Sequence, residues 1–417
     1  MFRNFIETLF SRGFSAITNF GIILFTARIL GAEGRGELSL FFLNIGIVVI
    51  FQNIGSGSAI TYFINKGNLK RIWIYSFFWC VITTIVISIL LLVNKLISPS
   101  HILYISAISF LLGLISNNQN ILLGKEQIRQ MNWVEILKSF IVLLALIIFY
   151  LFFDVKYNVQ FVFKIYFFSY LVLFFFSFFL ILPFLKNGEQ QESLLKYKTI
   201  LKFGIQIQSN NFLQLINYRF TYYIIEYFYG LHALGIISVA ISIAENVWII
   251  TKSTSTVLYS KLLNEIDSKR KIDLTVYFTN ISVFYSTLLC LILLCVPDSL
   301  FSLFFGKEFQ NLSIYFISYI PAVIMLSFFS QINHFFTAKN QNLINIKATG
   351  LGAITTIIFS LIFVPNYGIV YACICISISY FFMLIFLIRQ FSFKNSVHWT
   401  IFFKSYNNIF KSLDKHE

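Results

Sequence analysis

Apolar runs of membrane length recur along almost the whole chain, and no other feature of the sequence restricts the fold as strongly. About twelve of them hold roughly 18 residues or more, enough for a helix to cross a hydrocarbon core about 30 Å thick. They lie near residues 14–30, 39–64, 72–93, 102–123, 133–153, 161–185, 203–227, 233–258, 276–296, 312–336, 344–364 and 368–388. Charged residues make up 12% of the chain, against about 25% in a soluble domain. The expected fold is therefore all-α, a polytopic membrane protein of about twelve transmembrane helices.

Within that apolar background one stretch, Phe203 to Lys261, carries too many polar groups for lipid. It reads as two spans joined by a turn at Gly230 to His232, and it contains Arg219, Glu226, Glu245 and Lys252. A charge near the middle of a spanning helix costs roughly 2.5 to 3.5 kcal/mol, so such residues face protein or water and find partners there. At about 100° per residue, Gln208, Arg219 and Glu226 share one face, and Asn210, Gln214, Asn217 and Thr221 form a second polar line. In the second span Ser238, Ser242, Glu245, Lys252 and Thr256 form a narrow stripe. Interhelical hydrogen bonding would explain the hydroxyls and amides, but ionisable groups inside a membrane point first to function.

The net charge of +14 is mostly a topology signal. About 21 basic residues fall in the N-terminal segment, alternate loops and the tail, while the other loops hold only Arg35, Lys95, Lys156 and Lys307. By the positive-inside rule both termini are cytoplasmic. No loop is long enough for a nucleic-acid-binding domain. The first apolar run ends in Thr26-Ala27-Arg28 without a cleavage pattern and is expected to stay as a helix. Five cysteines inside spans form neither a disulfide framework nor zinc spacing, and the five histidines are scattered, so no metal site is expected.

The chain also repeats itself. A shift of 199 residues lays Gly31, Gly36 and Ser39 over Gly230, Gly235 and Ser238, and Lys70-Arg71 over Lys269-Arg270. A shift of 214 lays LLGKEQ (Leu122 to Gln127) over FTAKNQ (Phe336 to Gln341), with an insertion near Pro297 to Gln310 between the two registers. The reading is an N-terminal six-helix bundle over 1–185, a cytoplasmic linker over 186–202, a C-terminal six-helix bundle over 203–388 and a basic amphipathic tail over 389–417. Two such halves, related by an axis along the membrane normal, place a substrate path at their interface. LGAEGRGELS (Leu30 to Ser39) is expected as a tight outer connection. Asn53 to Ala59, rich in small residues, interrupts the second span.

LGAEGRGELS, IGSGSAITYF (Ile54 to Phe63), INYRFTYYIIEYFYGLHALGIISVAISIAENVW (Ile216 to Trp248), FFGKEFQ (Phe304 to Gln310) and VPNYGIVYA (Val364 to Ala372) resemble segments of the bacterial polysaccharide-export flippases, the Wzx-type O-antigen and capsule transporters. The similarity runs over nearly the whole chain. It departs at Thr221, where many relatives carry an acid, and at Thr251 and Ser260, where they often carry proline. The resemblance implies the fold of the multidrug/oligosaccharidyl-lipid/polysaccharide (MOP) exporters, shared with MATE transporters. It also implies movement of an undecaprenyl-diphosphate-linked oligosaccharide, such as an O-antigen, lipopolysaccharide or capsule repeat unit, from the inner to the outer leaflet of the cytoplasmic membrane. A polysaccharide polymerase and a chain-length regulator are the partners it implies beyond the membrane lipids.

A diphosphate cannot cross hydrocarbon with its charge unpaired. The candidate cations for it are Arg219, which can pair bidentately with phosphate oxygens, then Lys252, Arg28 and Lys138. Glu245 reads as an ion partner of Lys252 two turns away, or as a protonatable coupling group, with Glu226 beside it in that role. Asn53, Asn211, Gln214 and Asn217 are the candidate sugar contacts. No organic cofactor is expected, and a coupling ion, H+ or Na+, is not assignable from the residues. Two other classes compete. A MATE-like antiporter of small cations calls for an acidic cavity, whereas this one is at least as basic as acidic. A membrane polymerase or glycosyltransferase needs paired carboxylates in sizeable loops, and the longest outer loop offers only Asp298, Lys307 and Glu308.

Overall fold

In a computed structural model of the chain the described residues are 2–57, 60, 61, 64, 68–152, 158–186 and 197–403. Among them, twelve α-helices account for nearly all the structure. They are α1 (Phe2–Gly55), α2 (Leu69–Val93), α3 (Ile102–Gly124), α4 (Ile128–Phe152), α5 (Val159–Lys186), α6 (Tyr197–Glu245), α7 (Trp248–Asn264), α8 (Ser268–Leu294), α9 (Asp298–Phe305), α10 (Leu312–Ala338), α11 (Asn342–Tyr367) and α12 (Val370–Asn395). Short 3₁₀ turns occupy Lys307–Phe309 and Trp399–Phe403. Among the described residues ten helices are long and apolar enough to cross a membrane, and two of these, α1 and α6, each contain one of the spans read from the sequence and part of the next. The chain forms two compact units, Met1–Phe212 and Leu213–Glu417, whose boundary falls inside α6.

One helix, α2, is turned inside out relative to those of a soluble protein. In α2 the buried face holds Ser76, Cys80, Thr83, Thr84 and Ser88, while Phe78, Ile82, Ile85, Ile89 and Val93 are exposed. Hydrocarbon solvates leucine and phenylalanine as well as a protein core does, so the inward faces are selected for small and hydrogen-bonding side chains. Those side chains join the helices. Gln52 Nε2 donates to Thr84 Oγ1 at 2.7 Å, Asn118 Nδ2 to Ser177 Oγ at 3.0 Å, and the hydroxyls of Thr18 and Ser139 meet at 2.5 Å.

The connection expected over Leu30 to Ser39 is not a loop. Only Gly31 leaves the helix, with φ 69° and ψ −174°, and α1 resumes at once, so Arg35 and Ser39 are helical and buried. In α6, Gly230 does the same with φ 79° and ψ 177°. This backbone region is open essentially to glycine alone, which is why one residue suffices for a change of direction. The two hinges are the pair laid together by the 199-residue shift. The second register is matched as closely. Glu126 and Asn340 both take left-handed φ, 58° and 56°. The same three capping bonds recur, Lys125 N to Ile121 O, Glu126 N to Leu123 O and Gln127 N to Leu122 O in one turn, and Lys339 N to Phe335 O, Asn340 N to Thr337 O and Gln341 N to Phe336 O in the other.

The span expected over 233–258 is interrupted. After Glu245 the helix breaks at Asn246 and Val247, and α7 begins at Trp248. No proline is involved. The Asn246 side chain donates to the Ser242 carbonyl at 2.9 Å, competing for the acceptor that its own backbone N–H would use. That N–H instead reaches Ile243 O, and Val247 N reaches Ala244 O. The polar linker expected around 186–202 falls largely outside the described residues, as does the tail from residue 404.

If Gly230 is a hinge by conformation, Gly230→Ala destabilises the protein by about 1–3 kcal/mol, although nothing lies within 4 Å of the added methyl. Gly13→Ala, equally uncrowded but helical, is neutral or stabilising. Thermal denaturation in detergent distinguishes the two.

Candidate functional site

Arg219 lies on the first arm of α6 and Glu245 at the end of the second. Arg219 Nη2 donates to Glu245 Oε2 at 2.6 Å, with the two side chains 20% and 17% exposed. The pair holds the arms side by side across the Gly230 hinge. Arg219 Nη1 donates to the Tyr222 hydroxyl at 3.2 Å, and the guanidinium carbon sits 5.0 Å from the ring centroids of both Tyr218 and Tyr222. A cation over aromatic faces is stabilised by the ring quadrupoles, more so where water is scarce.

Around this pair is an aromatic wall that the sequence left unmarked, because tyrosine and phenylalanine are abundant throughout. Tyr218 packs on Trp248 with centroids 6.3 Å apart, and Trp248 on Tyr319 at 6.5 Å. Gln214 Nε2 donates to the Tyr380 hydroxyl at 3.0 Å, and Tyr319 and Tyr380 both interact electrostatically with Arg219 and Glu245. Several polar atoms here are buried without a hydrogen-bond partner among the described residues, namely Glu245 Oε1, Gln214 Oε1, Trp248 Nε1 and the Tyr319 hydroxyl. Buried polar atoms are usually paired. A concentration of unpaired ones beside an ion pair and a helix break marks the place where this unit can take up a polar group. Interrupted helices are tolerated at membrane depth where the backbone is enclosed by protein or lines a wet cavity.

The other expected residues sort differently. Lys252 is exposed on α7 and is not the partner of Glu245. The carboxylate of Glu245 is taken by Arg219 on the other arm of α6, and the chain between Glu245 and Lys252 passes through a tightened turn of i→i−3 bonds at Asn246 and Val247. Asn217 is fully buried. Its Nδ2 donates to Thr349 O at 3.2 Å and its Oδ1 accepts from Ser379 at 3.4 Å, so it joins α6, α11 and α12 and is closed to a sugar. Gln214 lies in the aromatic wall. Asn211 donates to Gln208 Oε1 at 3.0 Å, and Asn53 accepts from Ser116 at 3.2 Å. Arg28 is exposed three residues before the Gly31 hinge, and Glu226 is half-buried four residues before Gly230.

Lys138 belongs to a second polar region, within the N-terminal unit. It lines a cavity of about 370 Å³ together with Asn19, Arg35, Glu135, Tyr166 and Tyr170. Glu135 Oε2 accepts from Gln119 at 3.1 Å. Arg35 was missed because it was assigned to a loop. The available signal was Glu135 and Lys138, three apart on one helix.

These helices, hinges and paired registers define a class, the fold of the MOP-superfamily transporters, in a multi-pass membrane protein. Solved structures of that fold superimpose over nearly the entire chain. An inward-facing multidrug resistance MATE family transporter of the MOP superfamily gives a TM-score of 0.73 at 15% identity, covering 94% of this chain and 98% of that one. The lipid II flippase MurJ in an inward closed conformation gives 0.73 at 13% identity, covering 100% and 93%. A MOP superfamily transporter from Pyrococcus furiosus, described by the reverse polarity of its binding pocket, gives 0.66 at 14% identity, covering 96% of each chain. In sequence, the chain is 26% identical over 198 residues to the capsular polysaccharide biosynthesis protein CapF of Staphylococcus aureus, 46% of this chain and 50% of that protein. The match thus spans half the length of that relative. No protein-family model matches the chain. The resemblance to polysaccharide-export flippases is consistent with these neighbours, of which the solved structures are transporters and a flippase.

Removing one member of a buried ion pair leaves the other charge uncompensated, at roughly 3 to 5 kcal/mol. Arg219→Ala and Glu245→Ala each lower stability in detergent, and the double variant loses clearly less than the sum of the two. Strictly additive losses in that double-mutant cycle would show that the pair is not an energetic unit.

Proposed function

We propose that this chain is a flippase for an undecaprenyl-diphosphate-linked oligosaccharide, moving the headgroup from the cytoplasmic to the outer leaflet of the bacterial cytoplasmic membrane by alternating access. In this reading both termini are cytoplasmic, and a polymerase and a chain-length regulator act on the product. One observation carries it, the Arg219–Glu245 pair set among aromatic faces and a free amide oxygen beside a broken helix. Such a lipid has two polar parts, and the site has a counterpart for each. The guanidinium suits diphosphate oxygens. Tyr218, Tyr222, Trp248 and Gln214 suit a sugar, with rings against its apolar faces and an amide for its hydroxyls.

Glu245 then acts as an internal stand-in for phosphate. Its carboxylate occupies the guanidinium in the absence of cargo and limits the cost of a charge at membrane depth. Cargo has to displace it, and protonation of the released carboxylate is a direct route to coupling with a proton gradient. The same pairing weighs against a small-cation antiporter, because a carboxylate already held by an arginine has little attraction left for a cation. The capsule-biosynthesis relative and the lipid II flippase support a lipid-linked sugar as cargo.

In a strain lacking the gene, Arg219→Ala inserts normally but fails to restore surface polysaccharide, and lipid-linked repeat units accumulate on the inner leaflet. Arg219→Lys, which keeps the charge without the planar fork, restores part of it. Normal polysaccharide display by Arg219→Ala would remove the role assigned to this residue, and loss of the lipid-linked sugar itself would indicate an enzyme.

A further inference from the structure

At one end of the C-terminal unit α8 packs on α10 and α10 on α12, and the start of α8 and the ends of α10 and α12 each carry a lysine. Lys339 follows the last residue of α10. Its Nζ donates to Asn395 Oδ1 at 3.0 Å and lies 4.6 Å from the centroid of the Phe335 ring. Asn395 is itself held by its Nδ2, which donates to Phe391 O at 2.8 Å, and Phe335 packs on Phe391 with centroids 4.8 Å apart. Lys339 is thus fixed against α12, beside Lys394. Lys271, half-buried in the first turn of α8, completes the group. Burial, and then repulsion from Lys271 and Lys394, pushes the Lys339 ammonium below its ordinary value.

Among the described residues no carboxylate pairs with any of the three. The acids of the neighbourhood are engaged elsewhere. Asp267 caps α8 by accepting from the backbone N–H groups of Lys269 and Arg270, and Glu265 pairs with Arg270 at 3.2 Å. Asp273 lies about 200° around α8 from Lys271. The C-termini of α10 and α12 supply a partial charge of about −0.5 each, less than three ammonium groups require.

The height of the cluster is marked by aromatic residues. Phe393 is 83% exposed and Trp399 52% exposed, on either side of Lys394 and Asn395. The chain turns at Ser396 in a left-handed conformation, and Phe402 folds back onto Phe328 and Phe391, with centroids 4.9 and 5.2 Å away. An exposed tryptophan just beyond a spanning helix sits at the level of lipid headgroups, and basic pockets between helix ends at that level suit anionic headgroups.

We infer that Lys271, Lys339 and Lys394 form a binding site for the phosphate of an anionic phospholipid headgroup, with Asn395 positioning Lys339 and Phe393 and Trp399 flanking the acyl chains. The site is independent of the cargo. It binds a bilayer lipid where α8, α10 and α12 meet, and stabilises that end of the C-terminal unit.

The test uses the full-length protein in detergent, titrated with phosphatidylglycerol or with phosphatidylcholine of the same chains and read by native mass spectrometry. Wild type retains phosphatidylglycerol preferentially. At about fivefold per lysine, K394Q weakens retention by about fivefold and the triple variant K271Q/K339Q/K394Q by roughly a hundredfold, leaving phosphatidylcholine unchanged. The arginine triple K271R/K339R/K394R keeps the preference. Should the glutamine triple fail to fold, exposed Lys394 and the arginine triple carry the test. Equal retention of the two lipids by wild type, or undiminished phosphatidylglycerol binding in K394Q and the triple, overturns the inference. Inorganic phosphate binding as tightly as phosphatidylglycerol also overturns it, since the site would then serve a free anion.

Discussion

A guanidinium and a carboxylate 2.6 Å apart let the C-terminal unit keep charge at membrane depth. Separated, either group would carry a desolvation penalty of several kcal/mol. Paired, they hold the two arms of α6 together and leave one carboxylate oxygen, Glu245 Oε1, without a hydrogen-bond partner among the described residues. Tyr218 and Tyr222 lie against the guanidinium, and Trp248 packs on Tyr218. A purely structural ion pair would be expected to satisfy all its oxygens.

Much of the architecture was legible because two signals in it are strong. Hydropathy located the spans, since lipid imposes length and apolarity on every helix. The repeat was legible because Gly31 and Gly230 occupy a backbone region nearly closed to other residues, and because Glu126 and Asn340 end equivalent helices in the same left-handed turn. Positions that only one conformation can satisfy leave marks that survive the divergence of two halves.

The site was legible in part. Arg219 stood out because a lone arginine in a span is conspicuous. Its partner was misassigned because helical periodicity compares positions on one helix, whereas Arg219 reaches Glu245 from the other arm of the hairpin. Asn217 looked like a ligand group because its pattern does not distinguish a buried amide that binds Thr349 and Ser379 from one facing a cavity. Arg35 was hidden by the assumption that glycines and charges make a loop, where one glycine and a continuing helix suffice.

The hinge at Gly230 also bears on how the protein is made. With a single residue between its two arms, and Arg219 on one bonded to Glu245 on the other, α6 is a helical hairpin closed by contacts within one continuous stretch of chain. The two partners are 26 residues apart in the chain, so the hairpin can close as soon as that stretch has been synthesised.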